Sequence, residues 1–192
     1  MALKLITPPE TYPVLLAEAK THCRIDGTAE DDYISALITV ATDYCENYQH
    51  RAFITQVWEL WLDDFPIKDY VLIPRTPLQS VASVKYYDDE NTEYTISDTE
   101  YFVDLVSEPG RVVLGYDKEW PSITLRPANA VCIRFTTGYA SAADVPQKIK
   151  QAILFLVSHW YEKREPIQDG AVSGEIPFTV SALLSQDKII LA

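Results

Sequence analysis

The hydrophobic period of this chain changes twice along its length, and each change limits the fold. Between positions 30 and 50 apolar residues recur every three or four residues, the period of one helix face. They are Ile34, Leu37, Ile38, Ala41, Cys45 and Tyr48. Residues 14–25 predict a shorter helix, and Gly27 separates the two. Thr28 followed by Asp31 resembles a capping box that would start the second helix, so this part predicts a helical hairpin.

From about residue 55 to residue 137 the period is two, which is typical of β-strands. The stretch VWELWLDDF (57–65) alternates apolar and polar side chains, and turn formers such as Pro109 and Gly110 separate six or so similar stretches. A helical period returns at Asp144, a good N-cap residue, and runs to about Glu165. Pro166 would end that helix.

These periods predict an α+β fold in which an inserted all-β module interrupts a helical core. The core would combine the N-terminal helical hairpin with the long C-terminal helix. The predicted parts are residues 1–54 (N-terminal helical part), 55–138 (antiparallel β module) and 139–192 (C-terminal helical part and tail). A chain of 192 residues is long enough to bury a core without disulfides or metals.

The predicted C-terminal helix contains an apolar run, residues 151–161, between Lys150 and Glu162. A membrane-spanning helix needs about 20 apolar residues, so this run is too short to be an anchor. A helix that is apolar around most of its circumference is either central to a core or covered by a neighbouring subunit. We favour the subunit interface and keep the internal core helix as the alternative. The candidate interface residues are Ile149, Ile153, Leu156, Trp160, Leu154, Val157 and Tyr161.

The chain is acidic, with 16 Lys and Arg against 28 Asp and Glu and a formal net charge of −12. Because proteins that wrap nucleic acid neutralise phosphates with Lys and Arg, this balance argues against that class. Three cysteines at irregular spacing predict reduced thiols rather than a disulfide framework. The N-terminal sequence MALKLITPP has no signal-peptide core, so we expect a cytoplasmic protein.

No motif in the sequence predicts a metal or cofactor site. His159 has no orienting carboxylate or nucleophile nearby in sequence, and the adjacent His22 and Cys23 would point about 100° apart on a helix. The acidic stretch 88–93 lacks the glycine and the terminal glutamate of a calcium-binding loop and predicts a hairpin turn instead. We therefore expect no cofactor, no metal ligand and no catalytic residue.

Two weaker functional alternatives come from the predicted β module. Trp58, Trp61, Tyr86 and Tyr87 could form an aromatic face that binds a sugar or a peptide. Glu59 with Asp63 or Asp64 could form the carboxylate pair of a glycoside hydrolase.

The order of segments along the whole chain is more specific than any one motif. The chain opens with LITPPE, which is followed by LLAEAKTHCRID and then by EDDYISALITVATDYCENYQHRAFITQVWEL. The next segments, in order, are PLQSVASVKYYD, YFVDLVSEPGRVVL, VCIRFTTGYASAADVPQKIKQAILFLVSHWYEKRE and IPFTVSALL. This succession resembles the head–tail connector family of tailed phages, which are head-completion or adaptor proteins.

The resemblance implies a structural protein of the virion neck, present in the host cytoplasm before assembly. Family members form a ring, typically twelvefold, that joins the portal protein to a stopper or tail-terminator protein and extends the DNA channel without binding DNA specifically. Residues 30–50 and 146–164 would be the ring helices. A C-terminal segment would dock onto the portal, with the candidates Pro177, Phe178, Leu183, Leu184, Ile189, Ile190 and Leu191. The family often ends with a Tyr-Arg pair, whereas this chain ends with LLSQDKIILA.

The acidity predicts association at low pH. The sequence pI is about 4.6, and repulsion between copies falls as the net charge approaches zero. We expect sedimentation velocity to show larger species as the pH is lowered from about 7 to about 5. Unchanged sedimentation across this interval would contradict the prediction.

Overall fold

The computed structural model describes residues 1–164 and 178–190, with the side chain of Phe178 left out. The chain divides into two compact units. The β unit contains Met1–Pro9 and Thr55–Gly138, and the helical unit contains Glu10–Ile54 and the described part of Tyr139–Ile190. Among the described residues, no helix has the length and apolar character needed to cross a membrane.

The β unit contains eight strands. They are β1 (Ala2–Thr7), β2 (Gln56–Leu62), β3 (Tyr70–Leu72), β4 (Leu78–Tyr87), β5 (Glu93–Ile96), β6 (Tyr101–Asp104), β7 (Arg111–Leu114) and β8 (Val131–Thr137). One antiparallel sheet has the order β1-β2-β8-β4-β5 and the other the order β3-β7-β6. The inner faces of both sheets contribute to one cluster of buried apolar residues, which includes Leu60, Val84, Val112, Ile133 and Phe135.

Alternation along β2 decides which side chains join this cluster. Trp58, Leu60 and Leu62 point to the inner face, where Leu60 is fully buried, whereas Glu59 and Trp61 point to the outer face. Cross-strand pairing fixes the register, since Leu60 lies opposite Ile133 and Glu59 lies opposite Arg134. A slip of one residue would move every one of these side chains to the other face.

The helical unit contains four helices: α1 (Leu16–Cys23), α2 (Asp31–Gln49), α3 (Gln147–Glu162) and α4 (Phe178–Ser185). Their inward faces form a second buried cluster, to which α3 contributes Ile149, Ala152, Ile153, Leu156 and Val157. Helices α1 and α2 both end at residues with left-handed backbone geometry, Arg24 and His50, each at φ 56°.

The predicted fold class is wrong. The described residues form four helices of 8 to 19 residues and eight strands in two antiparallel sheets. The helices form only one of two compact units, so no helical core organises the chain as a whole. Strand β1 precedes every helix and completes the five-stranded sheet, so the β region is not a module inserted between helices. The pattern failed at β1 because it is an edge strand with mostly exposed side chains, which leaves no clean alternation.

The predicted helix boundaries also need correction. The C-terminal helix is not long, since α3 has 16 residues and stops at Glu162. Asp144 does not cap it: its carboxylate accepts hydrogen bonds from Ser141 in the preceding turn, and Pro146 holds the cap position. Thr28 does not cap α2 either, because that helix begins after Glu30. Asp31 instead forms an ion pair with Lys20, at 2.6 Å from Nζ to Oδ1.

Because Leu156 of α3 is fully enclosed, truncating it should destabilise the single protomer. We expect Leu156→Ala to lower the free energy of unfolding by about 2–5 kcal/mol, the usual cost of a cavity in a core. The measurement is denaturant unfolding at protein concentrations where the chain is monomeric. Val40→Ala, at a position 55% exposed on α2, is the control and should change the value by less than about 0.5 kcal/mol. A monomer unaffected by Leu156→Ala would contradict the described packing.

Candidate functional site

The predicted subunit interface on α3 divides into enclosed and accessible side chains. Four of its seven residues are fully buried in the helical unit: Ile149, Ile153, Leu156 and Val157. The other three, Leu154, Trp160 and Tyr161, are half-buried. The inference that α3 carries more apolar surface than one protomer can cover therefore does not hold for the four enclosed residues, because α1, α2 and α4 pack around them. For the three half-buried residues the interface stays a prediction.

The C-terminal segment, residues 178–190, lies against the end of α2. The side-chain amide of Gln49 donates from Nε2 to the carbonyl oxygen of Leu184 at 2.7 Å, and the backbone N–H of Ile189 donates to the carbonyl oxygen of Gln49 at 3.0 Å. Arg51 donates from Nε to the carbonyl oxygen of Asp187 at 2.8 Å. These polar contacts hold the segment on the helical unit.

The predicted portal-docking residues are therefore not equally accessible. Leu184 is fully buried and Ile189 is 8% exposed, so neither can reach a partner in this conformation. Leu183 is half-buried, and Ile190 is 83% exposed. Pro177, Leu191 and the side chain of Phe178 lie outside the described residues.

A second apolar stripe runs along α2, and the helical period of the sequence does not distinguish it from the core face. We name it the α2 ridge, and it consists of Tyr33, Leu37, Val40, Tyr44 and Tyr48. Their spacing of three and four residues places them along one side of the helix, beside the buried face. Val40 is 55% exposed and Tyr33 is 36% exposed. Leu37, Tyr44 and Tyr48 are half-buried and pack against the buried cluster, as the helical period predicts for Leu37 and Tyr48. Tyr33 and Val40 therefore provide the exposed part of the ridge.

A polar cluster ties the C-terminal end of α3 to the start of α2. Tyr161 and Arg164 both donate hydrogen bonds to the carboxylate of Glu30, and the Arg164 guanidinium lies over the rings of Tyr33 and Tyr161, at 4.8 and 5.1 Å from their centroids. The hydrogen bond from Arg164 is the largest cause that lowers the pKa of Glu30. The cluster therefore keeps Glu30 ionised and fixes one end of the α2 ridge.

The aromatic residues predicted to share one exposed face of the β unit lie on both faces of the sheet. Trp58 and Tyr86 pack against the buried cluster. Trp61 and Tyr87 stack on the outer face, with ring centroids 6.2 Å apart, and the guanidinium of Arg126 lies 4.0 Å from the Tyr87 centroid. The single aromatic platform that a sugar- or peptide-binding module would need is not formed, because alternation along each strand splits the four rings.

The carboxylates of the hydrolase alternative make structural contacts. Glu59 is 6% exposed and forms an ion pair with Arg134, at 2.5 Å from Oε1 to Nη2. Asp63 accepts a hydrogen bond from the backbone N–H of Asn129 at 2.9 Å, and Asp64 accepts one from Phe65 at 2.7 Å. Each carboxylate thus stabilises a strand pair or a turn.

Glu93 organises the outer face near the edge of the five-stranded sheet. It accepts hydrogen bonds from Lys85 and from the Tyr87 hydroxyl, each at 2.6 Å. The bond to Glu93 is the largest cause that raises the pKa of Tyr87 to about 12. Because the raised pKa favours the neutral phenol, this contact stabilises the fold below the ordinary value of 10.0 and is lost as the pH rises through about 12.

The residues considered for chemistry lie in structural surroundings. His159 is half-buried and lines a cavity of about 240 Å³ with Phe155, Ser158, Glu162 and Thr179. The His22 ring packs edge-on against Phe155, at 5.9 Å between centroids. Across residues 1–164 and 178–190, no group of three or more His, Cys, Asp or Glu side chains is placed to hold a metal ion.

The three cysteines are free thiols. Burial is the main cause that raises the pKa of Cys45 to about 12 and that of Cys132 to about 11. Burial also raises the pKa of Cys23, which is half-buried. Because the thiolate is the nucleophile, none of these surroundings favours thiol chemistry at neutral pH.

Comparisons with known proteins give a family and a fold. A family model described as head completion protein matches residues 15–182. The fold resembles a chain in the neck of an empty gene transfer agent (GTA) particle computed with C6 symmetry, with a TM-score of 0.80 and 24% identity. It also resembles a chain in the virion of a native GTA particle, with a TM-score of 0.81 and 23% identity. A third similar chain is in the neck of a native GTA particle computed with C12 symmetry, with a TM-score of 0.78 and 22% identity. Each of these three structural similarities covers 100% of this chain and 97% of the similar chain. No curated protein sequence matches the chain.

Thiol labelling tests the described surroundings of the cysteines. At about pH 8 a small alkylating reagent should modify Cys23 in the folded protein, while Cys45 and Cys132 stay protonated and shielded. Mass spectrometry of the intact protein should show one label, and three after denaturation. Cys23→Ser is the matched control and should remain unlabelled when folded. Labelling of Cys132 as fast as Cys23 would contradict the burial described for β8.

Proposed function

The chain belongs to the head completion protein family, and from this premise we propose that it forms a ring in a phage neck. It is a structural protein and not an enzyme. In the proposed role the ring joins the portal protein to a stopper or tail-terminator protein and extends the channel through which DNA passes. The chain would reach this position from the host cytoplasm during assembly.

The observation that carries the proposal is the similarity of the whole chain to neck proteins. Two of the similar chains come from GTA necks computed with C6 and C12 symmetry, and each similarity covers 100% of this chain. Cyclic symmetry requires many copies in one ring, which supports a ring role for a chain of the same fold.

Within this proposal each part of the chain has a role. The ring contacts lie in residues 30–50 and 146–164, and the contact to the portal lies in the C-terminal segment, residues 178–190. Leu154, Trp160 and Tyr161 are the members of the α3 set that remain accessible to a neighbouring copy. Ile190 is the most accessible of the described docking candidates, so it carries the proposed contact to the portal.

The charge of the chain supports passage of DNA rather than binding. The net charge of −12 gives DNA phosphates few cationic partners, so a channel formed by such subunits would repel the duplex. A DNA strand that is not held can move through the ring in either direction.

Substitution of Ile190 tests the docking assignment. We expect Ile190→Asp to weaken binding to portal rings of the same phage at least about tenfold, because a carboxylate replaces an apolar contact side chain. Surface plasmon resonance with immobilised portal rings measures the dissociation constant. Since Ile190 is 83% exposed, the free energy of unfolding should stay within about 0.5 kcal/mol of the wild type.

The matched control is Ile67→Asp, which changes a fully exposed isoleucine of the β unit in the same way. It should bind the portal as the wild type does. Equal binding by Ile190→Asp and the wild type would remove Ile190 from the docking surface. Failure of the wild type to bind portal rings at all would remove the adaptor proposal.

A further inference from the structure

The exposed part of the α2 ridge, Tyr33 and Val40, has an acidic border. Asp43 lies three residues after Val40 and therefore next to it on the helix surface. Asp32 borders the other end of the ridge on the same side. Both carboxylates are exposed, and neither has a hydrogen-bond or ion-pair partner among residues 1–164 and 178–190. The middle of the ridge, around Val40 and Tyr44, thus combines apolar side chains with negative charge that nothing in the described chain neutralises.

A groove in the helical unit combines apolar side chains with basic ones. Its volume is about 410 Å³, and Val14, Leu154 and Leu183 supply its apolar surface. Lys148 and Lys150 line it as cations. Lys148 is paired with Asp187, at 2.5 Å from Nζ to Oδ2, whereas Lys150 has no ion-pair partner in the described part of the chain. We name this surface the α3 groove.

The groove also contains one acidic residue, Glu18. Its carboxylate already accepts a hydrogen bond from the backbone N–H of Leu15, at 2.7 Å, at the start of α1. Lys150 therefore supplies the charge of the groove that remains available to a partner.

The ridge and the groove cannot complete each other within one copy. Each residue of a helix is rotated by about 100° from the one before it, so Gln151 and Leu154 point away from the row formed by Ile149 and Leu156. That row packs into the cluster shared with α2. The groove therefore opens on a side of α3 that does not face the helix bearing the ridge.

We propose that the α2 ridge of one copy docks into the α3 groove of the next, with Asp43 beside Lys150. This inference rests on the proposed ring and assigns the two surfaces that join its subunits. A ring of more than two copies needs such a contact between two different surfaces, because a contact of a surface with itself closes a dimer. A ridge-to-ridge contact would also bring the unpaired Asp43 carboxylates of two copies towards each other, whereas ridge to groove places Asp43 beside Lys150.

A zero-length crosslinker tests the predicted proximity. Carbodiimide joins a carboxylate to an amine only when the two are in contact, so it should couple Asp43 to Lys150 in assembled protein. Mixing ¹⁴N- and ¹⁵N-labelled copies before crosslinking distinguishes links between copies from links within one, by mass spectrometry. Assembly without a Asp43–Lys150 link between copies would overturn the proposal.

Charge-reversal variants test whether Asp43 and Lys150 meet between copies. Asp43→Lys gives a copy whose ridge and groove are both basic, and Lys150→Glu gives one whose ridge and groove are both acidic. Each variant alone should self-associate at least about tenfold more weakly than the wild type, because like charges meet at every contact. An equimolar mixture of the two should assemble again, since every ridge then finds a groove of opposite charge in an alternating ring.

Sedimentation velocity, run without and with portal rings of the same phage, measures this assembly. Asp98→Lys makes the same charge change at an exposed position of the β unit and should assemble as the wild type does. Normal assembly of both single variants, or no recovery in the mixture, would overturn the assignment of surfaces while leaving the ring intact. A wild type that never self-associates under either condition would overturn the ring itself, and this inference with it.

Discussion

The enclosure of the apolar row of α3 within one protomer determines how the rest of the helical unit can be used. Ile149, Ile153 and Leu156 are fully buried, and side chains from α1, α2 and α4 complete the cluster around them. A row that is closed in this way contributes stability to each copy and cannot hold copies together. In the proposed ring, contacts between copies must therefore use side chains that remain accessible, which on α2 include Tyr33 and Val40 of the ridge.

The C-terminal segment is constrained by polar contacts as well as by burial. Gln49 bonds the segment through both its side chain and its backbone carbonyl, and Asp187 receives both Arg51 and Lys148. Leu184 and Ile189 are consequently enclosed in the helical unit, whereas Ile190 of the same unit is exposed. A short segment can thus complete a fold and still expose one apolar side chain, because adjacent side chains point in different directions.

The outer face of the five-stranded sheet shows why its polar residues do not form a catalytic site. Glu59 pairs with Arg134 across neighbouring strands, and Glu93 is held by Lys85 and Tyr87. Carboxylates bound in this way have their lone pairs occupied by neighbours of the same sheet. The same network gives this face a surface on which acidic and basic side chains are paired with each other.

The sequence by itself determined the helical period of α2, the alternation of β2, the acidity of the chain and the order of segments that carries the family resemblance. These are local or compositional properties, which neighbours in space do not alter. Only the tertiary structure decided that β1 joins the sheet of the β unit, that the α3 row is enclosed, and that Leu184 and Ile189 are buried in the helical unit. An edge strand with few buried side chains shows almost no alternation of apolar and polar residues in its sequence. A helix that is apolar on several sides has the same sequence whether the side chains that bury it come from its own chain or from another. Burial is a property of the assembled neighbours, so the distinction between the core face of α2 and its ridge could appear only once the helices were packed.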